Sequence, residues 1–262
     1  MTLKARLAAG ETLCTAWSGV PDALTVEIVA RQGFDAVTLD MQHGGHSEDS
    51  VLRSLPAIQV AGKPALVRIP VGRFDMASRA LDFGAEAVIA PMVNSVADAK
   101  AFAAAMKYPP IGQRSWGPTF ALPRYGGGDQ ADWLPGSNRR TLAFAMIETR
   151  AALEALDDIL DVPGIDGIFV GPSDFSIAWT DGGAVDPMLE EMMATVQSIA
   201  ARARQAGKFT AIYVNGAGTA GRMAAMGYQL LAMGSEHGLI ALGAKVLLDE
   251  VRGSIKAGGQ SQ

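Results

Sequence analysis

The sequence predicts a single (β/α)8 barrel, and three observations carry that expectation. Eight short, β-rich apolar runs punctuate the chain, and the segments between them mostly have helical spacing. The length of 262 residues is close to the roughly 250 that one such barrel occupies. Strands that alternate with helices pair in parallel through right-handed crossovers. Eight repeats of that unit close into a barrel more readily than they extend an open sheet.

In chain order the strands are expected at Leu13–Trp17, Ala36–Asp40, Ala65–Ile69, Ala87–Pro91, Leu142–Ile147, Gly167–Val170, Thr210–Val214 and Leu230–Met233. Between the second and third, Val51, Leu55 and Ile58 recur at helical spacing, against the opposing signal of Pro56. A longer helix is expected to open at Pro187, directly after a capping Asp186. In it Leu189, Met192, Val196, Ile199 and Ala203 fall on one face. Gly33, Gly84, Gly207 and Gly227 each sit between a helical pattern and the next strand, where a glycine ends a helix. The rhythm breaks over Tyr108–Arg140, with Pro109, Pro110, Pro118, Pro123, Pro135 and the run Gly126-Gly127-Gly128. A connection this long without a pattern of its own is usually functional or used in assembly. The tail Gly258-Gly259-Gln260-Ser261-Gln262 reads as frayed.

Composition narrows the function classes. Hydrophobic residues make up 49% and charged residues 19%, the balance of a globular chain with a large core. The one cysteine, Cys14, excludes an intramolecular disulfide and fits a reducing, cytoplasmic setting. The start Met1-Thr2-Leu3-Lys4-Ala5-Arg6 leads into no apolar run, so no signal peptide is expected. No uninterrupted apolar stretch reaches the ~18 residues of a membrane span. The net charge is −5 without a basic block, which argues against nucleic acid as a partner.

Barrel chemistry sits at the C-terminal ends of the strands, so the polar residues there are the candidates. Glu148 and Asp174 follow two consecutive strands and should be neighbours. Two converging carboxylates repel unless a cation or a proton intervenes. Two hard oxygen ligands with open positions suit magnesium or manganese, with cobalt, nickel and zinc as alternatives. A 2-oxo acid can chelate such an ion, which then polarises its carbonyl. Against this, Glu148 could pair with Arg150 or cap a helix, and Asp174 could cap a short helix. Arg68, near the end of a buried-looking strand, cannot shed its charge and needs an anionic partner. An ion pair with Asp40 or Asp82 and stabilisation of an enolate oxygen are compatible readings. His43 can move a proton near neutral pH, and Asp82 is the candidate carboxylate to orient it. His46 reads as surface at a helix entry. Imine chemistry would need a lysine inside the barrel, and none is placed for it.

One motif points elsewhere. Gly216-Ala217-Gly218-Thr219-Ala220-Gly221 is a literal G-x-G-x-x-G after a strand, with Glu236 20 residues beyond Gly216. A dinucleotide fold needs more strands after the motif than remain here. In a barrel the motif is the turn after the seventh strand, a place where anions often bind.

These residues together resemble the HpcH/HpaI aldolase family, in particular the 4-hydroxy-2-oxoheptanedioate aldolase type. The carriers are Leu39-Asp40-Met41-Gln42-His43, Val67-Arg68, Leu81-Asp82-Phe83-Gly84, Pro91-Met92-Val93, Tyr108-Pro109-Pro110, Ile147-Glu148-Thr149-Arg150 and Val170-Gly171-Pro172-Ser173-Asp174. They appear in family order over nearly the whole chain. The resemblance implies a class II aldolase that adds a pyruvate or hydroxypyruvate enolate to an aldehyde, or cleaves a 4-hydroxy-2-oxo acid. It makes Glu148 and Asp174 the ligands of a divalent metal and His43 the proton-transferring residue, with Asp82 raising its basicity. Arg68 becomes the transition-state arginine. The backbone of Ser173 and Asp174 would receive the substrate carboxylate, and Trp17 would stand near the site. It also implies a hexamer, a trimer of dimers, in which residues 1–262 form one domain whose C-terminal helix is exchanged between subunits. One departure is Met146, where many relatives carry a substrate-contacting glutamine; a thioether donates no hydrogen bond. The competing functions are an acyl-CoA carbon–carbon lyase of related architecture, an NAD-dependent oxidoreductase on the glycine motif, and a barrel that only binds 2-oxo acids.

Overall fold

The computed structural model of the chain describes residues 1–125 and 130–259. Eight parallel strands close a barrel in sequence order. They are β1 (Leu13–Ser18), β2 (Ala36–Asp40), β3 (Ala65–Arg68), β4 (Ala87–Ala90), β5 (Leu142–Ile147), β6 (Gly167–Val170), β7 (Phe209–Tyr213) and β8 (Leu230–Met233). β1 pairs with both β2 and β8, which completes the ring. The expected strands are all present, with ends shifted by one residue at β1, β3, β4 and β7.

Alternation along each strand separates two cores. One set of side chains points into the barrel, including Leu13 and Trp17 of β1, Phe144 and Met146 of β5, Phe169 of β6 and Tyr213 of β7. The other set packs outward against the helical layer, as Val37 and Leu39 do with Val51, Leu55 and Ile58. The N-terminal helix Leu3–Ala8 drops Leu3 and Leu7 into the inner cluster. The Leu3 N–H donates to Glu86 just ahead of β4 (2.9 Å). That helix therefore stoppers the N-terminal end of the barrel. The opposite end has no such stopper, and a cavity opens there beside the C-terminal ends of the strands.

The helix Glu48–Val60 runs through Pro56 and is held by a capping box in which Ser47 and Ser50 exchange hydrogen bonds. Two expectations need correction. The pair Asp186-Pro187 does not open a helix: Asp186 accepts from the Met188 N–H (2.9 Å) in a local turn, and the helix is Glu190–Gln205. The side chain that could cap is spent three residues too early. The segment Tyr108–Arg140 is not without structure either, because it contains the helices Ala121–Arg124 and Gln130–Arg140. Arg140 lies 4.2 Å over the Trp133 ring, and Tyr125 donates to the Gly84 carbonyl (2.6 Å). Buried aromatic and cationic contacts thus replace the missing periodicity. The run Gly126-Gly127-Gly128 lies outside the described residues. The four glycines expected to end helices all have positive φ, from 70° at Gly207 to 111° at Gly84. Gly258 and Gly259, expected to fray, close the C-terminal helix Glu236–Gly259; residues 260–262 lie outside the described ones.

Candidate active site

At the open end a cavity of about 280 Å³ is lined by Trp17, Asp40, His43, Arg68, Met146, Phe169, Gly171, Pro172, Ser173, Asp174 and Tyr213. Strand register explains the company they keep. Asp40 and Arg68 are cross-strand partners at the ends of β2 and β3, and Met146 faces Phe169 across β5 and β6.

The Asp40–Arg68 pair is bidentate: Nε donates to Oδ1 at 2.8 Å and Nη2 to Oδ2 at 2.6 Å. Of the two partners considered for Arg68, the structure selects Asp40. The guanidinium also lies 4.7 Å from the Trp17 ring centroid, and the Trp17 indole N–H donates to Asp40 (3.2 Å). Burial pushes the Asp40 carboxyl up, but Arg68, the Gln42 amide and Trp17 together hold it below the usual carboxylate range. Asp40 further accepts from the backbone N–H of Gln42 (3.0 Å), His43 (3.4 Å) and Gly44 (3.0 Å). It therefore sets both the guanidinium and the first half of the loop that carries His43. This organising role was not anticipated for Asp40; the signal was its place opposite Arg68 at matching strand ends.

Glu148 lies one step beyond β5 and keeps the inward phase of Met146, two residues earlier. It is 2% exposed. The Met92 N–H donates to its Oε1 at 2.7 Å. Burial pushes its carboxyl up to about 7; the Met92 amide opposes this, the Asp174 charge adds to it, and Arg68 offsets part. A carboxylate so destabilised, with a second carboxylate close enough to repel it, has the character of a cation ligand. Arg150 does not neutralise it, because its guanidinium turns to the carbonyls of Ala178 (2.9 Å) and Trp179 (2.5 Å). Gly171 makes the juxtaposition possible: a Cβ there would lie 2.2 Å from Glu148 Oε2.

Asp174 occupies the first turn of the helix Pro172–Trp179, whose N-cap is Gly171. Asp174 is therefore not the cap. Gly171 offers no capping side chain, so the amides of Ser173 and Asp174 begin the helix with no intrahelical acceptor. They flank the cavity, where such amides are free to donate to an anion. Among the described residues no group of three or more His, Cys, Asp or Glu side chains could hold a metal. Glu148 and Asp174 are two oxygen donors, and a divalent ion held by them would keep open positions.

One histidine, His46, and one carboxylate, Asp82, are placed differently from expectation. His43 is exposed and lines the cavity. Asp82 does not reach it within the chain: it accepts from Arg114 Nη2 (2.5 Å) on the helix Asp75–Phe83, away from the cavity. The helix turns its last residues toward the Tyr108–Arg140 segment, which supplies Arg114. His46 is buried, not surface. The lysine that is buried among the described residues, Lys107, donates to Asp166 (2.6 Å) and Thr141 O (2.6 Å) ahead of β5 and β6, at the opposite end of the barrel. In the glycine motif, a Cβ at Gly216, Gly218 or Gly221 would meet nothing within 4 Å. No close backbone approach there requires glycine. The sequence reading also passed over Tyr213 and Phe169, whose rings stand 5.6 and 5.7 Å from Trp17 and wall the cavity. Their inward phase at strand ends was the available signal.

Comparison with known proteins gives four further findings. The family model described as HpcH/HpaI aldolase/citrate lyase matches residues 14–241. A hydroxypyruvate/pyruvate aldolase from Rhizorhabdus wittichii is 34% identical over 93% of this chain and 95% of its own. A 4-hydroxy-2-oxo-heptane-1,7-dioate aldolase from Klebsiella pneumoniae is 33% identical over 93% of this chain and 91% of its own. Among solved structures, an HpcH/HpaI aldolase from Desulfitobacterium hafniense DCB-2 superposes with a TM-score of 0.86 at 25% identity, over 96% of this chain and 97% of that one.

Proposed function

Because the chain belongs to the HpcH/HpaI aldolase/citrate lyase family, we propose that it is a divalent-metal-dependent aldolase acting on pyruvate or hydroxypyruvate and an aldehyde. In reverse it would cleave 4-hydroxy-2-oxo acids. That it is a carbon–carbon lyase follows from its aldolase-named relatives, similar over most of the chain. The observation that carries the finer reading is the buried Glu148 carboxyl, pushed up to about 7 by burial and by the charge of Asp174, which lines the cavity.

Glu148 and Asp174 would hold the ion, with magnesium or manganese suited to two oxygen ligands and several open positions. A divalent cation supplies Lewis-acid polarisation of a 2-oxo carbonyl. The residues of the chain do the rest. The amides of Ser173 and Asp174 receive the substrate carboxylate. Arg68 spends two of its five N–H groups on Asp40 and presents the remainder to the enolate oxygen. Fixed in place by Asp40 and Trp17, it needs no reorganisation as charge develops. Trp17 closes one wall. His43 takes the proton from the hydroxyl on the bond being cleaved, or returns it in synthesis. Asp82, occupied by Arg114, has no part in this chain's own cavity. Met146 offers the donor no hydrogen bond, which leaves its second oxygen to other groups such as Tyr213.

The C-terminal helix exposes Ile240, Leu247, Val251 and Ile255. That apolar stripe supports the proposal that subunits exchange this helix in a hexamer. The catalytic proposal is tested by cleavage of 4-hydroxy-2-oxo acids before and after metal stripping. Turnover should vanish with the metal and return when it is restored; full activity of the stripped protein rejects the scheme. A malyl-type thioester assayed alongside would turn over instead if the chain were an acyl-CoA lyase.

A further inference from the structure

A second buried polar cluster lies behind the cavity wall, and the reaction outlined above makes no use of it. Glu236 is the first residue of the C-terminal helix and is almost fully buried. The Ser18 hydroxyl donates to its Oε1 (2.5 Å), and the Gly19 N–H donates to its Oε2 (2.9 Å). Among the described residues no cationic side chain pairs with it. A buried carboxylate held by neutral donors is costly unless each bond is made, so those bonds are tightly specified.

Ser18 has one proton and gives it to Glu236. The contact of 3.0 Å between Ser18 Oγ and His46 Nε2 is then made by His46 donating. The other ring nitrogen, Nδ1, meets the Ser50 hydroxyl at 3.1 Å. His46 ends the segment that begins at Asp40, and His43 stands midway between them. Asp40 fastens the near half through the amides of Gln42, His43 and Gly44. The far half is fastened by the His46–Ser18–Glu236 chain and by the Gly45 N–H on the Gly19 carbonyl (2.8 Å). The two turns also touch backbone to backbone, since a Cβ at Gly44 would lie 2.9 Å from the Gly19 Cα. Without Glu236, Ser18 loses the acceptor that orients it toward His46.

We infer that Glu236 is a positioning residue for His43: acting through Ser18 and His46, it fixes the far end of the loop that presents this histidine to the cavity. The inference rests on the proton-transfer role given to His43 above. Ser18 and His46 are buried, so neither meets substrate, and the cluster works by geometry alone.

A double-mutant cycle tests this. Glu236→Ala should lower the rate of retro-aldol cleavage about tenfold or more, since small misplacements cost rates of that order. In a His43→Ala background the same change should cost less than about twofold, because the two act as one unit. Exchange of the pyruvate methyl protons with solvent, which does not call on His43, should stay within about twofold of the unaltered enzyme. If Glu236→Ala does not fold, Ser18→Ala breaks the same link between Glu236 and His46 and is read the same way. Equal losses in both backgrounds, or a parallel fall in proton exchange, would mark Glu236 as a structural anchor only and overturn the inference. An unaltered enzyme that shows neither cleavage nor exchange refutes the aldolase reading itself, a result distinct from an additive cycle.

Discussion

At the scale of the residue, the account turns on two side chains whose environments oppose their ordinary behaviour, and on the glycine beside one of them. Arg68 is buried and charged, stacked on Trp17 and clamped by Asp40. Arg68→Ala should lower cleavage by roughly 100-fold or more, the loss typical of removing one preorganised donor. Steady-state kinetics on the purified variant checks this, and an unimpaired rate removes Arg68 from the chemistry. Glu148 is raised to about 7 from an ordinary 4.5. Its contribution to stability is present below pH 4.5 and lost as the pH rises through 7, because the folded state alone keeps the proton in between. The metal-free protein should therefore melt at lower temperature at pH 8 than at pH 5 by a margin that Glu148→Gln abolishes. Melting curves of both proteins at the two pH values decide it; an identical pH slope shows that burial is not stressing this carboxyl. Gly171→Ala should displace Glu148, whose Oε2 would lie 2.2 Å from the new methyl group. Overpacking of that kind costs about 1–3 kcal/mol, and calorimetry should find weakened divalent-ion binding as well. These residues were legible in the sequence because strand ends in a barrel converge. The ion-pair partner of Asp82 was not, since Arg114 comes from a segment with no periodicity to place it.

At the scale of the element, short apolar runs located all eight strands, and helical spacing located the helices Glu48–Val60 and Glu190–Gln205. Their ends were harder to read, because a cap is decided by one hydrogen bond. Asp186-Pro187 has the composition of a helix start, yet the Asp186 side chain closes a turn on Met188, and the helix waits for Glu190. Pro56 argued against the helix Glu48–Val60, but that helix is anchored by the Ser47–Ser50 capping box and packs Val51, Leu55 and Ile58 into the outer core. Ser47→Ala should cost about 1 kcal/mol of stability, measurable by urea denaturation. A larger effect on cleavage than on stability would fit the loop Asp40–His46, which this helix follows.

At the scale of the whole molecule, the closed barrel assigns the ends their tasks. Leu3 and Leu7 seal the N-terminal mouth, and the C-terminal mouth collects the charged groups. The barrel itself was legible from the count and rhythm of its elements. The described part of the Tyr108–Arg140 segment was not, because Trp133, Arg140 and Tyr125 hold it by specific contacts that no period announces. Among the described residues nothing covers the apolar stripe on the C-terminal helix, which predicts a defined oligomer. Sedimentation should find a hexamer, and substituting Ile240, Leu247 and Val251 by serine should dissociate it.

All of this chemistry requires one cation gripped by two acidic groups that follow neighbouring strands. Anomalous diffraction from a crystal soaked with manganese and pyruvate would examine that point without an assay. The account predicts a single strong peak between the carboxylates of Glu148 and Asp174, with pyruvate oxygens completing its coordination. A peak elsewhere, or clear pyruvate density at the cavity with no ion beside those two residues, would contradict it.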